Sequence, residues 1–340
     1  MGTPRRTAAV IGVGRMGLRH LSALASTSFE VVAVADPHEP AVAAALAQAP
    51  KAATYADWKT LLDRHQPDLV CVATTSPAHE AAALAAAAAG VRRILCEKPM
   101  ASSLQAARGI NDACRRAGTR LLVNHPRRLL PVYLTIRDAI AADRFGDLRF
   151  MRVTCGAAGL ANIGSHAFDL MRWFLGDPDG AIGRLEGTTP VNPRGPQFHD
   201  PGGHGTFWFG GDRRATFDFC NDFSTSLVVE FGCRYGAIRV DERTGEVRAT
   251  ARDEAGRSQP LSLYQTPTTP IDLPFGGPID IVAMTAAMIE SAMGDGPPAC
   301  SGEDGLTALE MVAAVHLSDR ARAPVTFPVM NDEGCLARIP

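Results

Sequence analysis

Along the first 125 residues, apolar and polar positions follow two alternating rhythms. Short, near-continuous apolar runs occupy 8–13, 31–35, 69–73, 93–96 and 121–123. Between them, 16–25, 40–48, 58–64, 78–89 and 104–117 read as helices. Strands that are apolar on both faces, alternating with helices, predict βαβ units and a parallel sheet covered on both sides. The punctuation agrees. Asp57 is placed to cap a helix start, Ser102 with Gln105 fits a capping box, and Gly90 and Gly118 fall where helix ends want glycine.

After Asn124 the texture changes. Pro131 opens a helix expected over 131–143, and a second is expected over 166–175. Strand-like runs follow one another at 148–155, 205–209, 214–219, 227–231, 237–240 and 246–251, with turn signals such as Gly210-Gly211-Asp212. Consecutive strands of this kind predict a mostly antiparallel sheet. The stretch 176–203, rich in Gly and Pro, is expected to be a long loop, and helices are expected over 280–293 and 305–320. No internal repeat is visible.

Composition narrows the classes. A chain of 340 residues is long for one hydrophobic core, so two domains are expected, 1–125 and 126–340. With 46% hydrophobic and 21% charged residues it has an ordinary globular composition. A formal net charge of −2, with only scattered pairs such as Arg5-Arg6 and Arg213-Arg214, offers nucleic acid no basic footprint. The apolar run 81–89 is alanine-dominated, flanked by charge and too short to span a bilayer. Eight cysteines without a C-x-x-C are expected to be thiols in a reducing compartment, and the cytoplasm is the expected location. His199 and His204 lie near Asp200 without ligand spacing, so no metal is expected.

Gly12-Val13-Gly14-Arg15-Met16-Gly17 is a G-x-G-x-x-G between an apolar strand and a helix. In that setting Gly12 permits the tight turn, Gly14 lets backbone approach a pyrophosphate, and Gly17 lets helix pack on strand. The helix N-terminus then offers N–H groups and its positive dipole end to the phosphates. Asp36 closes the next strand, where a carboxylate accepts from a ribose 2′-hydroxyl and repels a 2′-phosphate. No arginine follows it directly, so NAD is expected in preference to NADP. The expected architecture is α/β: a Rossmann doubly wound parallel sheet, then an α/β domain with a mostly antiparallel, open-faced sheet.

Glu97-Lys98-Pro99 follows the strand at 93–96, at the carboxyl edge where doubly wound sheets bind ligands. A lysine there can donate to a substrate oxygen and tune proton transfer. On spacing alone, a surface lysine is the plainer reading. At these residues the chain resembles the glucose–fructose oxidoreductase / inositol 2-dehydrogenase / MocA (Gfo/Idh/MocA) family. The resemblance takes in the glycine motif, Thr74, Ser76-Pro77-Ala78-His79, the Glu97-Lys98-Pro99 triplet, Asn124-His125-Pro126-Arg127-Arg128 and Gly164-Ser165-His166-Ala167-Phe168-Asp169. It continues through Ser301-Gly302-Glu303-Asp304-Gly305 to Pro324-Val325-Thr326-Phe327-Pro328. The order and spacing of these motifs are specific together.

The resemblance implies that Lys98 is the catalytic lysine, that Lys98–Pro99 is cis, and that His166 is an acid/base, which suits its intrinsic pKa. It carries Arg15, Met16, Thr74, Ser76, His79 and Glu97 to the cofactor. It carries Asn124, Arg127, Arg128, Asn162 and Asp169 to the substrate. For Thr74, Ser76 and His79, helix capping stays equally open. For the two arginines, bidentate capture of a substrate anion and packing between domains both stay open. Many family members carry Asp where this chain has Asn162, and an amide cannot take a proton or raise the histidine's pKa by charge. The implied activity is hydride transfer between nicotinamide and a carbinol or carbonyl carbon of a sugar, cyclitol or sugar nucleotide. The alternatives are a glycosidase- or lyase-type enzyme using NAD as a transient relay, and a non-catalytic nucleotide-sensing protein. The resemblance also implies a homodimer or homotetramer through the C-terminal sheet, an apolar face of which would need cover. No nucleic acid or membrane partner is expected.

Overall fold

The structure, a computed structural model, describes residues 6–156, 158–187, 192, 195–263, 265–294 and 296–340. Arg5, and Thr188–Val191 with Pro193 and Arg194 of the expected long loop, lie outside the described residues. The chain forms two compact units. One comprises Met1–Pro126, Asp280–Leu309 and Leu336–Pro340, and the other Arg127–Ile279 and Glu310–Cys335. Two C-terminal stretches therefore join the first unit, which a single cut after residue 125 does not express.

The first unit alternates strand and helix: β1 (Arg6–Ile11), α1 (Arg15–Ala25), β2 (Phe29–Ala35), α2 (Glu39–Gln48), β3 (Ala53–Tyr55), α3 (Trp58–Arg64), β4 (Leu69–Val72), α4 (Ser76–Ala88), β5 (Arg93–Cys96), α5 (Leu104–Ala117) and β6 (Arg120–Val123). All neighbours pair in parallel, in the order β3-β2-β1-β4-β5-β6. The order reverses beside β1, the switch point at which such sheets bind ligands. Ala8, Ala9, Val10 and Ile11 are all fully buried, as a central strand covered on both faces requires. The three-residue edge strand β3 was not expected, because Ala-Thr-Tyr carries too little apolar patterning to show.

Two caps differ in outcome. Asp57 accepts from Thr60 N at 2.9 Å and caps α3 as expected. The cap of α5 is Ser103, not Ser102: its hydroxyl accepts from Ala106 N at 3.0 Å. A capping side chain must sit immediately before the first helical residue, and Leu104 is that residue. Gly118 ends α5 in the left-handed conformation, φ 67°.

The second unit begins with a 3₁₀ turn (Pro126–Leu129, its first residue in the first unit). It continues through α6 (Pro131–Ala141), β7 (Leu148–Thr154), a π turn (Leu160–Gly164), α7 (Ser165–Leu175), β8 (Pro178–Leu185), β9 (Gly203–Phe209), β10 (Arg213–Asp218), β11 (Val228–Cys233), β12 (Gly236–Asp241), β13 (Glu246–Ala251), α8 (Glu254–Arg257) and β14 (Thr269–Pro270). α9 (Ile281–Ser291) belongs to the first unit, α10 (Gly302–Ala321) contributes to both, and β15 (Val325–Thr326) returns to the second. The nine-stranded sheet runs β14-β13-β12-β11-β7-β10-β9-β8-β15, antiparallel throughout except for the β7–β10 pair. β8 corrects the first part of the expected loop over 176–203. Its glycines hide the strand pattern, but pairing with β9 on one side and β15 on the other supplies the hydrogen bonds.

The two faces of this sheet differ sharply. Phe168 of α7 meets Phe207 and Phe217 edge-on, each at 5.0 Å between ring centres, and forms the core of the covered face. On the other face, register aligns Thr206, Thr216, Arg152, Glu230, Arg239 and Arg248 in one row across five junctions. Glu230 lies 4.0 Å from Arg152 and 3.9 Å from Arg239. This row is a charged and threonine ladder, and the neighbouring row on the same face carries Trp208, Arg214, Phe150, Gly232, Ala237 and Thr250, so the outer face expected to be apolar is mixed.

Candidate functional site

The carboxyl edge of the parallel sheet collects the first group of candidates. Gly12 adopts φ 83°, and a Cβ there would meet Thr74 N at 2.7 Å and Ala73 O at 2.9 Å. At Gly17 a Cβ would collide with Gly12 O, so the helix can pack only on glycine. At Gly14 a Cβ would find nothing within 4 Å. That open side is where a phosphate group can approach backbone. Gly14 caps α1 without a side-chain hydrogen bond, and the first turn, with Arg15 and Met16, contains no acid. Its first N–H groups and positive dipole end are not offset by an acidic side chain in that turn.

Asp36 is fixed over this turn. Oδ2 accepts from Val13 N at 2.9 Å and Oδ1 from His38 N at 2.9 Å. Two backbone donors thus orient the carboxylate at the end of β2, beside the glycine motif. The turn, helix start and Asp36 together fit a dinucleotide.

Of the other residues expected at the cofactor, Thr74 donates its hydroxyl to Thr75 O at 3.3 Å and Ser76 donates to Ile339 O at 3.3 Å. His79 is buried, with Nδ1 2.9 Å from Pro99 O and Nε2 3.1 Å from Thr74 O. Ser76 and His79 thus tie α4 to other backbone segments, and neither is an open face.

Glu97 is also buried. Oε1 accepts from His20 Nε2 at 2.8 Å and from Asn124 Nδ2 at 2.7 Å, and Oε2 accepts from Lys98 N at 3.3 Å. Burial alone would raise its pKa, but hydrogen bonds from His20 and Asn124 and the charges of His20 and Lys98 lower it to about 2. Burial would likewise lower His20, and the neighbouring Cys71 and Glu97 raise it to about 10. Both shifts run toward the charged pair, while His20 Nδ1 has no hydrogen-bond partner among the described residues. Lys98 itself is half-buried, and Lys98–Pro99 is cis.

The remaining candidates belong to the second unit. Arg128 and Asp169, expected at the substrate, form an ion pair with Nε–Oδ2 at 2.8 Å and Nη2–Oδ1 at 2.6 Å. Asp169 is 0% exposed and has no face to offer a substrate; the pair ties the 3₁₀ turn to α7. Arg127 Nε lies 3.1 Å from both oxygens of Glu242, which also accepts from Tyr133 Oη at 2.8 Å. Asn162 is exposed on the π turn, and His166 lies four residues on in the first turn of α7, 8% exposed. Asp200 holds that turn: its Oδ1 accepts from Ala161 N at 2.7 Å and its Oδ2 from Asn162 N at 2.9 Å.

His20, Asp200 and Glu242 were not expected. A local signal existed only for His20, a histidine on the stripe Gly17, His20, Leu21, Leu24 that α1 buries. Such a residue needs a polar partner. Among the described residues no helix is long and apolar enough to cross a membrane, and no group of three or more His, Cys, Asp or Glu is arranged to hold a metal.

A parallel sheet with this glycine turn and acidic strand end defines a dinucleotide-binding Rossmann domain. Family models for "Oxidoreductase family, NAD-binding Rossmann fold" and "Oxidoreductase family, C-terminal alpha/beta domain" match residues 6–125 and 150–327. The chain belongs to the Gfo/Idh/MocA oxidoreductases, a family of dehydrogenases and reductases. It is 34% identical to inositol 2-dehydrogenase 2 of Saccharopolyspora erythraea over 180 residues, 49% of this chain and 53% of that protein, so the match spans about half that relative's length. It is 28% identical to D-apiose dehydrogenase of Paraburkholderia graminis over 366 residues, 96% of this chain and 90% of that one. An oxidoreductase from Agrobacterium radiobacter, solved in complex with NAD+, L-tartaric acid and magnesium, shares the fold. Its TM-score is 0.81 at 18% identity, covering 96% of this chain and 99% of that one.

Proposed function

We propose that this oxidoreductase transfers a hydride between NAD(H), preferred over NADP(H), and a carbinol or carbonyl carbon of a sugar, cyclitol or sugar nucleotide. The observation that carries the reading is Asp36, held by Val13 N and His38 N at 2.9 Å each beside the uncapped start of α1. A carboxylate so oriented accepts from a ribose 2′-hydroxyl and repels a 2′-phosphate. The substrate class is supported by relatives named for inositol and apiose.

Bound NAD supplies the hydride acceptor or donor. Gly12, Gly14 and Gly17 with the first N–H groups of α1 hold the pyrophosphate, and Asp36 holds the ribose. Lys98 donates a hydrogen bond to the substrate oxygen and so eases loss or gain of its proton. His166 takes that proton in oxidation and returns it in reduction. Asn162, lacking a titratable proton, orients a hydroxyl.

The test is a panel of sugars, cyclitols and sugar nucleotides followed by NADH absorbance, with NADH and NADPH titrated separately. The expected result is turnover of at least one polyol, tighter NADH than NADPH, and a large loss of kcat/KM in Lys98→Ala at nearly unchanged NADH affinity. Full activity of Lys98→Ala, or NADPH bound as tightly as NADH, overturns the reading.

A further inference from the structure

Lys98 lies between two residues that are each held by a buried histidine. On its amino side, Glu97 directly follows β5, its backbone N–H donating to Val72 O at 2.9 Å. Its carboxylate turns inward and receives His20 Nε2 at 2.8 Å, from α1, and Asn124 Nδ2 at 2.7 Å, from just after β6. On its carboxyl side, Pro99 O is met by His79 Nδ1 at 2.9 Å, from α4, and the same ring reaches Thr74 O at 3.1 Å. His20 is 0% exposed and His79 1%. Both side chains are buried, and neither belongs to the Glu97-Lys98-Pro99 triplet.

The two short contacts on Glu97 Oε1 are wholly buried and hold the carboxylate in place, while His20 Nδ1 and Asn124 Oδ1 have no hydrogen-bond partner among the described residues. Glu97 Oε2 also accepts Lys98 N at 3.3 Å, so the anchored carboxylate reaches the backbone of Lys98 directly. The flanks are thereby tied to α1 and α4, the helices that begin at the glycine turn and at Thr74-Thr75-Ser76. A side chain that must meet a substrate oxygen within a few tenths of an ångström gains from such fixed flanks.

We infer that His20 and His79 are positioning residues for Lys98, acting through Glu97 and through the Pro99 carbonyl. This rests on Lys98 being the residue that meets the substrate oxygen. His79 then serves the lysine and not the cofactor, and Glu97 is an internal anchor.

The experiment compares His20→Ala, His20→Gln and Lys98→Ala, and the double variant His20→Ala/Lys98→Ala, in the full chain. Amide exchange at Lys98 is measured without substrate; kcat and KM are measured with the substrate that the panel gives, and NADH affinity by titration. The expected result is faster exchange at Lys98 in His20→Ala, and a fall in kcat of about 10²-fold with NADH affinity within about threefold. His20→Gln, which keeps an N–H donor, recovers part of both. In the Lys98→Ala background the same change costs nothing further, because a residue that acts through Lys98 has nothing left to position. Unchanged exchange at Lys98, or an equal loss of kcat in both backgrounds, overturns the inference. If His20→Ala does not fold, His20→Gln and His79→Gln carry the same comparison. Full activity of Lys98→Ala would overturn the proposed chemistry, while the exchange measurement would still decide whether the histidines fix the turn.

Discussion

Arg128 and Asp169 meet edge to edge, with Nη2–Oδ1 at 2.6 Å and Nε–Oδ2 at 2.8 Å, both side chains buried. This fork geometry is the strongest form of the ion pair, and burial makes it intolerant of losing one member. The consequence is local to His166, because Asp169 stands three residues further along α7. Arg128→Met should destabilise the second unit by about 3–5 kcal/mol, since it leaves a carboxylate buried without its partner. Arg128→Met/Asp169→Leu should recover most of that loss by removing both charges. Urea denaturation measures both, and a single variant costing under about 1 kcal/mol would show the pair to be solvated.

The pair His20–Glu97 predicts a pH window for stability. His20 is raised from 6.5 to about 10. Its contribution is therefore complete below about pH 6.5 and is lost as pH climbs toward 10. Glu97 is lowered from 4.5 to about 2, so its contribution is complete above 4.5 and is lost as pH falls toward 2. Both act in full only between about pH 4.5 and 6.5. His316 works on the acid side alone. Buried and lowered to about 4, chiefly by desolvation, it resists the proton that the unfolded chain would take and so destabilises the fold increasingly below pH 6.5. The difference in thermal midpoint between the unaltered chain and Glu97→Gln should therefore be largest within that window and shrink on both sides. A difference independent of pH from 4 to 9 would mean that Glu97 and His20 are not a charged pair.

The fold was legible where burial imposed a local pattern. Central strands read as continuous apolar runs because helices cover both faces, and Asp57 and Gly118 announced helix ends through single-residue chemistry. β8 was hidden because its glycines carry no pattern, and a strand between two partners needs none. The candidate residues were visible as residue types at sheet edges: the glycine turn, Asp36 and Lys98, whose roles belong to the proposed function. What stayed hidden was partnership. Glu97 and His20 are 77 residues apart in sequence, and Arg127 and Glu242 are 115 apart. Nothing local in Arg128 or Asp169 told a substrate clamp from a buried ion pair. That distinction is made by tertiary packing, which a linear pattern does not encode.

The last prediction concerns Gly159 and Asp200. Asp200 caps the turn that leads into α7, accepting Ala161 N at 2.7 Å and Asn162 N at 2.9 Å, while Leu160 N donates to Pro201 O at 3.0 Å. The carboxylate reaches this position because Gly159 has no side chain. A Cβ there would overlap Asp200 Oδ2 and approach Asp200 O to 2.9 Å. Gly159→Ala keeps an ordinary backbone conformation, φ −70°, so its cost should come from displacing Asp200 and should be about 1–3 kcal/mol. Asp200→Ala should cost about 0.5–2 kcal/mol, as loss of a helix cap does. The two changes act on one arrangement, so the double variant should cost less than the sum by at least about 0.5 kcal/mol. Because Asn162 and His166 ride on this turn and helix, both single variants should also lower kcat while NADH affinity, set at the glycine turn, stays put. Strict additivity in urea denaturation would mean that the overlap at Gly159 is relieved without moving the carboxylate. Equal losses in kcat and NADH affinity would show that the damage is general, and that Asp200 has no special hold on the histidine's helix.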